Sequence, residues 1–153
     1  MTRHHLVPSG GRRRLRGRDQ RGAAAVEFAL VIMPLMFVLY GLIAFAMMFA
    51  LKQSMTSAAS DAARSAIGAG SPAAQVQAAK DALVDRLDWL GDKYDPADSP
   101  EPQVAPCANN PFKTCITVTV TYPYSSKPLV PLAPGLGLVT PSTINSKATV
   151  QLS

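Results

Sequence analysis

Hydrophobic and polar residues divide the chain into two unlike parts. No side chain from Phe28 to Leu51 is charged, and a helix of that length measures roughly 36 Å. This exceeds the roughly 30 Å hydrocarbon core of a bilayer, whereas the apolar region of a cleavable signal peptide has only about 7–15 residues. The pattern predicts a retained transmembrane helix over residues 23–51. The alternative is a secretory signal, cleaved at the small residues Ala58 and Ala59.

Helical periodicity continues beyond the apolar run. Abundant alanine predicts that the first helix extends to Ile67, before the helix-ending Gly68. Ser71 and Pro72 are a typical N-cap and first-turn pair, so a second helix is predicted over residues 72–93. That helix is amphipathic because its apolar residues share one face, namely Val76, Ala79, Leu83, Leu87 and Leu90.

Alternating residues near the C-terminus predict two strands, one over residues 116–122 and one over residues 144–152. The prolines between them exclude a strand interior and predict a long connection. Residues 95–111, rich in Pro, Asp and Asn, are predicted to be a linker. The predicted fold class is α+β: a long N-terminal transmembrane helix, a second amphipathic helix and a small C-terminal antiparallel β hairpin with a long Pro-rich connection.

The formal net charge of +5 comes from one end of the chain. Residues 1–22 hold seven arginines against one aspartate, which leaves eight basic and nine acidic residues for the rest. Arginines directly before an apolar helix are typical of the cytoplasmic side of a membrane protein. We therefore interpret residues 1–22 as a cytoplasmic leader that contacts lipid head groups rather than nucleic acid, and residues 52–153 as an exported domain. The topology arginines are Arg12, Arg13, Arg14, Arg16, Arg18 and Arg21.

Two cysteines, Cys107 and Cys115, lie in the part predicted to be exported. An oxidising compartment favours one local disulfide between them. Two free thiols are the alternative, and a zinc site would need two further ligands. Trp89, at the edge of the apolar stripe, is predicted to pack under the domain or to contact a partner.

The sequence offers little for catalysis. Both histidines, His4 and His5, lie in the leader, and no phosphate-binding glycine loop, nucleophile elbow or His-Glu-x-x-His motif is present. We expect neither an enzyme nor a cofactor. The aspartates of the second helix are interpreted as a solvated face rather than a metal site.

The junction between leader and membrane helix contains Gly22, Ala23 and then Glu27. A carboxylate within a membrane segment costs roughly 2.5–3.5 kcal/mol on insertion scales, and less near the interface. Either Glu27 lies near enough to the head groups to stay hydrated, or it pairs with a cation.

The run from Gly22 to Leu30, Gly-Ala-Ala-Ala-Val-Glu-Phe-Ala-Leu, with Pro34-Leu35 and the later Ala62-Ala63-Arg64, resembles the TadE-like family of the tight-adherence pilus machinery. The resemblance implies a minor pilin or pseudopilin that takes part in pilus assembly for surface attachment. It also implies cleavage after Gly22 by a prepilin peptidase. Glu27 would then pair with the Ala23 ammonium of a neighbouring pilin-like subunit.

A different class of protein remains open. The arginines would then be only a topology signal, and the chain would be a membrane-anchored or secreted binding module that is not processed as a prepilin. A subunit of a related secretion pseudopilus would share the leader. In the first interpretation the protein is a single-pass inner-membrane protein with its C-terminal domain in the periplasm or outside the cell.

Overall fold

The computed structural model describes residues 16–131, 137 and 140–152. The chain divides into two compact units, the first ending at Gly41 and the second beginning at Leu42. In the described residues, the second unit contains two α-helical segments, two short 3-10 segments and a three-stranded sheet. The α+β class predicted from the sequence is confirmed.

The first helix, α1, spans Arg16–Ser65, close to the predicted end at Ile67. After it, the Ile67 amide donates to the carbonyl of Arg64 at 3.0 Å. Gly68 then adopts a φ of 89°, a left-handed conformation that suits glycine and turns the chain away from the helix.

The second helix, α2, spans Pro72–Leu87. Ser71 caps it, because its hydroxyl accepts a hydrogen bond from the Ala74 amide at 3.3 Å. The predicted α-helix over residues 72–93 is wrong for its last part, since Asp88–Lys93 is a 3-10 segment. Within that segment Gly91 has a φ of 54° and a ψ of −135°, which no α-helix accommodates.

The sheet contains three antiparallel strands in the order β1-β2-β3: β1 is Gln103–Cys107, β2 is Asn110–Tyr122 and β3 is Ile144–Gln151. The predicted hairpin corresponds to β2 and β3, and β1 extends it. The linker predicted over residues 95–111 is therefore wrong, because it contains a 3-10 turn at Pro96–Asp98, all of β1 and the start of β2. Pro106 is tolerated because β1 is an edge strand and its register shifts at that residue.

The second unit has one hydrophobic core. The α1 helix contributes mostly small side chains, α2 contributes leucines, and β2 contributes the inward residues of its alternating pattern. Tyr122 is fully buried, and its hydroxyl donates to the carbonyl of Lys127 at 2.6 Å. The fully buried α1 and β2 residues include Leu51, Met55, Ala59, Ala62, Ala63, Ile116, Val118 and Val120.

Candidate functional site

The junction residues lie on α1. Gly22, Ala23 and Glu27 are all exposed. Ala23 and Glu27 are four residues apart, and side chains at this spacing occupy one face of a helix, about 5–6 Å apart at Cβ. The structure thus presents the predicted cleavage position and the predicted assembly carboxylate on one accessible helix face.

Packing gives no reason for a glycine at position 22. A methyl group there would meet no atom within 4 Å from elsewhere in the described part of the chain, and Gly22 lacks the positive φ seen at Gly68 and Gly91. Glycine inside a helix costs about 0.5–1 kcal/mol relative to alanine. Neither packing nor backbone conformation in the described residues accounts for a glycine here, which favours a role in recognition of this position by another protein.

The predicted topology arginines fall partly outside the described residues. Arg12, Arg13 and Arg14 lie outside them. Arg16, Arg18 and Arg21 belong to α1, and the structure describes only their backbone.

The helix that follows the junction is long and apolar enough to cross a membrane. Its large apolar side chains are exposed: Leu30 is 71% exposed, Val38 68% and Phe49 72%. Only 6% of its most apolar 18-residue window is buried. A soluble core helix would bury these side chains, so the surface indicates contact with lipid or with other apolar helices.

The second half of α1 belongs to the core of the second unit. Ala58 and Ala59, the alternative signal-cleavage position, are 2% and 0% exposed. Ala62 and Ala63 are also fully buried, whereas Arg64 is exposed. The Ala-Ala-Arg element thus places its two alanines in the core and its cation at the surface.

Polar contacts that no sequence pattern predicted connect α1 to β3. Ser146 is 4% exposed, and its hydroxyl lies 3.0 Å from the Thr56 hydroxyl. The Thr56 hydroxyl also lies within bonding distance of the Lys52 carbonyl, at 2.8 Å, and the Lys52 ammonium donates to the carbonyl of Asn145. A serine at an inward strand position was the only sequence signal for this contact.

Trp89 differs from the prediction that it packs under the domain. It is 55% exposed, and its indole Nε1 donates to the Ser54 hydroxyl at 3.2 Å. Trp89 lies near the start of the 3-10 segment Asp88–Lys93. Leu87 before it and Leu90 after it are buried, whereas the Trp89 side chain is directed outward.

Cys107 and Cys115 form a disulfide bond, with Cα atoms 5.0 Å apart. Cys107 ends β1 and Cys115 lies on the neighbouring strand β2. The bond therefore closes the hairpin at the β1–β2 turn, which is the pairing predicted from the sequence.

A groove of about 500 Å³ lies between α2 and the segment that precedes β1. Lys80 and Glu101 form an ion pair beside it. The hydrogen bond from Lys80, together with its charge, lowers the pKa of Glu101. The described residues contain no group of three His, Cys, Asp or Glu placed to hold a metal ion. The aspartates Asp81, Asp85, Asp88 and Asp92 are all exposed.

Together these features define a class: a chain with one apolar helix able to anchor it in a membrane, joined to a small disulfide-containing α+β domain. Residues 22–64 match the family model described as TadE-like protein. The match confirms the resemblance over α1 and suggests involvement in tight-adherence pilus systems. No curated protein and no solved structure matches the chain.

Proposed function

We propose that this protein is a single-pass, pilin-like subunit that takes part in assembly of a tight-adherence type pilus and performs no catalysis. The observation that carries the proposal is the match of residues 22–64 to the TadE-like model. The matched segment begins at the exposed Gly22 and ends at Arg64, so it contains both the apolar surface and the buried alanines. One helix thus supplies both the membrane anchor and part of the hydrophobic core of the exported domain.

Processing is the first step of the proposed function. A prepilin peptidase cuts after Gly22 on the cytoplasmic side, and Ala23 becomes the new N-terminus. The unexplained glycine at position 22 supports this step, as does the exposure of both residues.

Glu27 acts in assembly. In a filament the Ala23 ammonium of a neighbouring subunit pairs with the Glu27 carboxylate, and this pairing offsets the cost of placing two charges among apolar helices. The exposure of Glu27 supports this role, because the carboxylate is open to a second chain.

The proposed topology places the N-terminus in the cytoplasm and the second unit outside it, with the chain in the inner membrane. The arginines before the apolar helix support this orientation. The Cys107–Cys115 disulfide supports it too, because disulfides persist in oxidising compartments.

The alternative function, an unprocessed binding module, draws on the groove beside Lys80 and Glu101. In its secreted form it is disfavoured by the burial of Ala58 and Ala59. Cleavage there would cut α1 inside the hydrophobic core and remove Leu51 and Met55, which are both fully buried.

N-terminal sequencing and intact mass of the protein from its native membrane test processing. We expect a chain that begins at Ala23. Gly22→Leu should block cleavage, whereas Gly41→Leu is the matched control, because a side chain at Gly41 also meets open space. A native chain beginning at Met1 would contradict processing, and a start near Ala59 would indicate a secreted protein.

Glu27→Gln tests the assembly carboxylate. The variant should insert into the membrane normally but fail to enter the sedimentable filament fraction or to co-purify with pilin-like subunits. Asp92→Asn is the control, since it removes an exposed carboxylate in the second unit. Normal assembly of Glu27→Gln would remove the carboxylate from the mechanism.

A further inference from the structure

Three contacts fix how α2 returns along the second half of α1. The Ser65 hydroxyl donates to the carbonyl of Ala78 at 3.0 Å. Arg86 and Asp61 form an ion pair at 3.3 Å, and Trp89 bonds to Ser54 at 3.2 Å. Along α2 and the 3-10 segment after it, successive residues therefore contact α1 at positions progressively closer to Leu51. Trp89 therefore lies at the level where the apolar run ends.

Ser54 is three residues beyond Leu51, a rise of about 4.5 Å along a helix axis. Within the second unit, α1 still exposes apolar side chains just before this level: Phe45 is 37% exposed, Met47 40% and Phe49 72%. The exposed indole of Trp89 is thus close to the end of an exposed apolar surface.

The start of strand β3 also lies beside this part of α1. The Lys52 ammonium donates to the carbonyl of Asn145 at the start of β3. Pro141 and Thr143, just before β3, share a small, mainly apolar cavity of about 260 Å³ with Met48 and Phe49. The segment that enters β3 therefore lies beside the last apolar turns of α1.

We propose that this end of the second unit is a lipid-interface platform, in which the Trp89 indole, Phe49 and Lys52 sit in the head-group layer of the bilayer. The proposal rests on the membrane anchoring in the proposed function. Its one occupant is the lipid surface, because the platform adjoins exposed apolar side chains of α1 within the same unit, Phe45 and Met47.

The side chains have the chemistry of such a layer. Tryptophan is enriched at membrane–water interfaces, where its ring contacts acyl chains and its N–H reaches a polar group. The Lys52 ammonium, which donates one hydrogen bond to the Asn145 carbonyl, has two further N–H groups that can reach phosphates at this level. Asp88 and Asp92 flank Trp89 in the chain, so the placement depends on the indole rather than on net positive charge.

The chain contains one tryptophan, so its emission reports Trp89 alone. The full chain is reconstituted into phosphatidylcholine vesicles whose acyl chains carry bromine either near the head group or near the bilayer centre. We expect bromine near the head group to quench Trp89 more strongly than bromine at the centre. We also expect dissolved acrylamide to quench it less in vesicles than in protein unfolded by guanidinium.

A double variant, Trp89→Phe with Phe112→Trp, is the matched control. Phe112 is 94% exposed and precedes Cys115 on β2, whereas the other end of β2 pairs Tyr122 with Ile144 beside the platform. The relocated tryptophan should be quenched by acrylamide and not by brominated lipid.

The result separates this inference from the proposed function. If the vesicle-bound chain resists carbonate extraction but brominated lipid leaves Trp89 emission unchanged, the lipid-interface proposal is contradicted. The proposed membrane anchoring is then still supported. Strong acrylamide quenching then means that Trp89 faces water, and protection from both quenchers means that it contacts another protein chain. If carbonate extracts the chain from the vesicles, the proposed membrane anchoring is contradicted, and so is the lipid-interface platform that depends on it.

Discussion

The two halves of α1 reverse the usual relation between side-chain size and burial. The first half, which for this comparison runs to Phe49, exposes many large apolar side chains: Leu30, Val38 and Phe49 are 68–72% exposed. The second half, from Leu51 to Ser65, buries Ala59, Ala62 and Ala63 completely. In a water-soluble protein large apolar residues are the ones most often buried. The first half is therefore built for an apolar environment outside the chain, and the second for close approach of neighbouring elements within it.

Charge placed on the exposed apolar half should have the largest effect. A charged residue at the centre of a membrane helix costs roughly 2.5–3.5 kcal/mol, so Leu35→Arg with Val38→Arg should cost about 5–7 kcal/mol. We expect the double variant to be lost from the carbonate-resistant membrane fraction.

Gln77→Arg with Val84→Arg is the control for that experiment, because both positions are exposed on α2. This variant should stay in the membrane. Full retention of the Leu35/Val38 variant would mean that the first half does not require an apolar environment.

The buried half is tested by enlarging one alanine. Ala63 is fully buried, and overpacking a core typically costs about 1–3 kcal/mol. Ala63→Leu should lower the thermal unfolding midpoint of the second unit in detergent micelles, followed by Trp89 fluorescence. Ala46→Leu, at an exposed position of the same helix, should change the stability by less than about 0.5 kcal/mol. Equal effects would contradict the comparison.

Sequence patterns predicted α1 mainly from its long uncharged run, and α2 and the β2–β3 pair because each follows one period over many residues. They failed at residues 95–111, where the abundance of Pro, Asp and Asn suggested a linker although the segment contains β1 with Pro106. An edge strand needs no ladder hydrogen bond on one side and so tolerates proline. Periodicity also extended α2 too far, because Leu90 keeps the helical spacing and is buried although the backbone changes at Gly91.

The sequence singled out the junction residues but not the polar contacts within the second unit. Gly22, Ala23 and Glu27 lie within one stretch of six residues, so a local motif contains them. The Thr56–Ser146 and Ser54–Trp89 contacts join distant segments, and they depend on how the helices and sheet pack. No local pattern encodes that packing.

A double-mutant cycle sharpens the account of how the buried half contacts the sheet. Thr56 and Ser146 share a part-buried hydroxyl contact, whereas Thr117 and Thr149 share an exposed one, each at 3.0 Å. Substitution of each pair by alanine should give a coupling energy of about 1 kcal/mol for the buried pair. We expect only about 0.2 kcal/mol for the exposed pair. Chemical unfolding of the four variants of each cycle measures both, and equal couplings would show that burial does not strengthen the contact.

The smallest effect concerns the ion pair between Arg86 and Asp61, which joins α2 to the buried half of α1. Its side chains are 60% and 35% exposed, and exposed pairs contribute about 0.2–1 kcal/mol. Arg86→Ala should destabilise the second unit by that amount at low salt and by less at 1 M salt, where charges are screened over about 3 Å. Arg64→Ala, an exposed arginine on α1, is the control. A loss of unfolding free energy as large as that of Ala63→Leu, and unchanged by salt, would mean that the aliphatic part of Arg86 packs against the helices. Burial of the α1 alanines would then not be the only contact that holds α2 against α1.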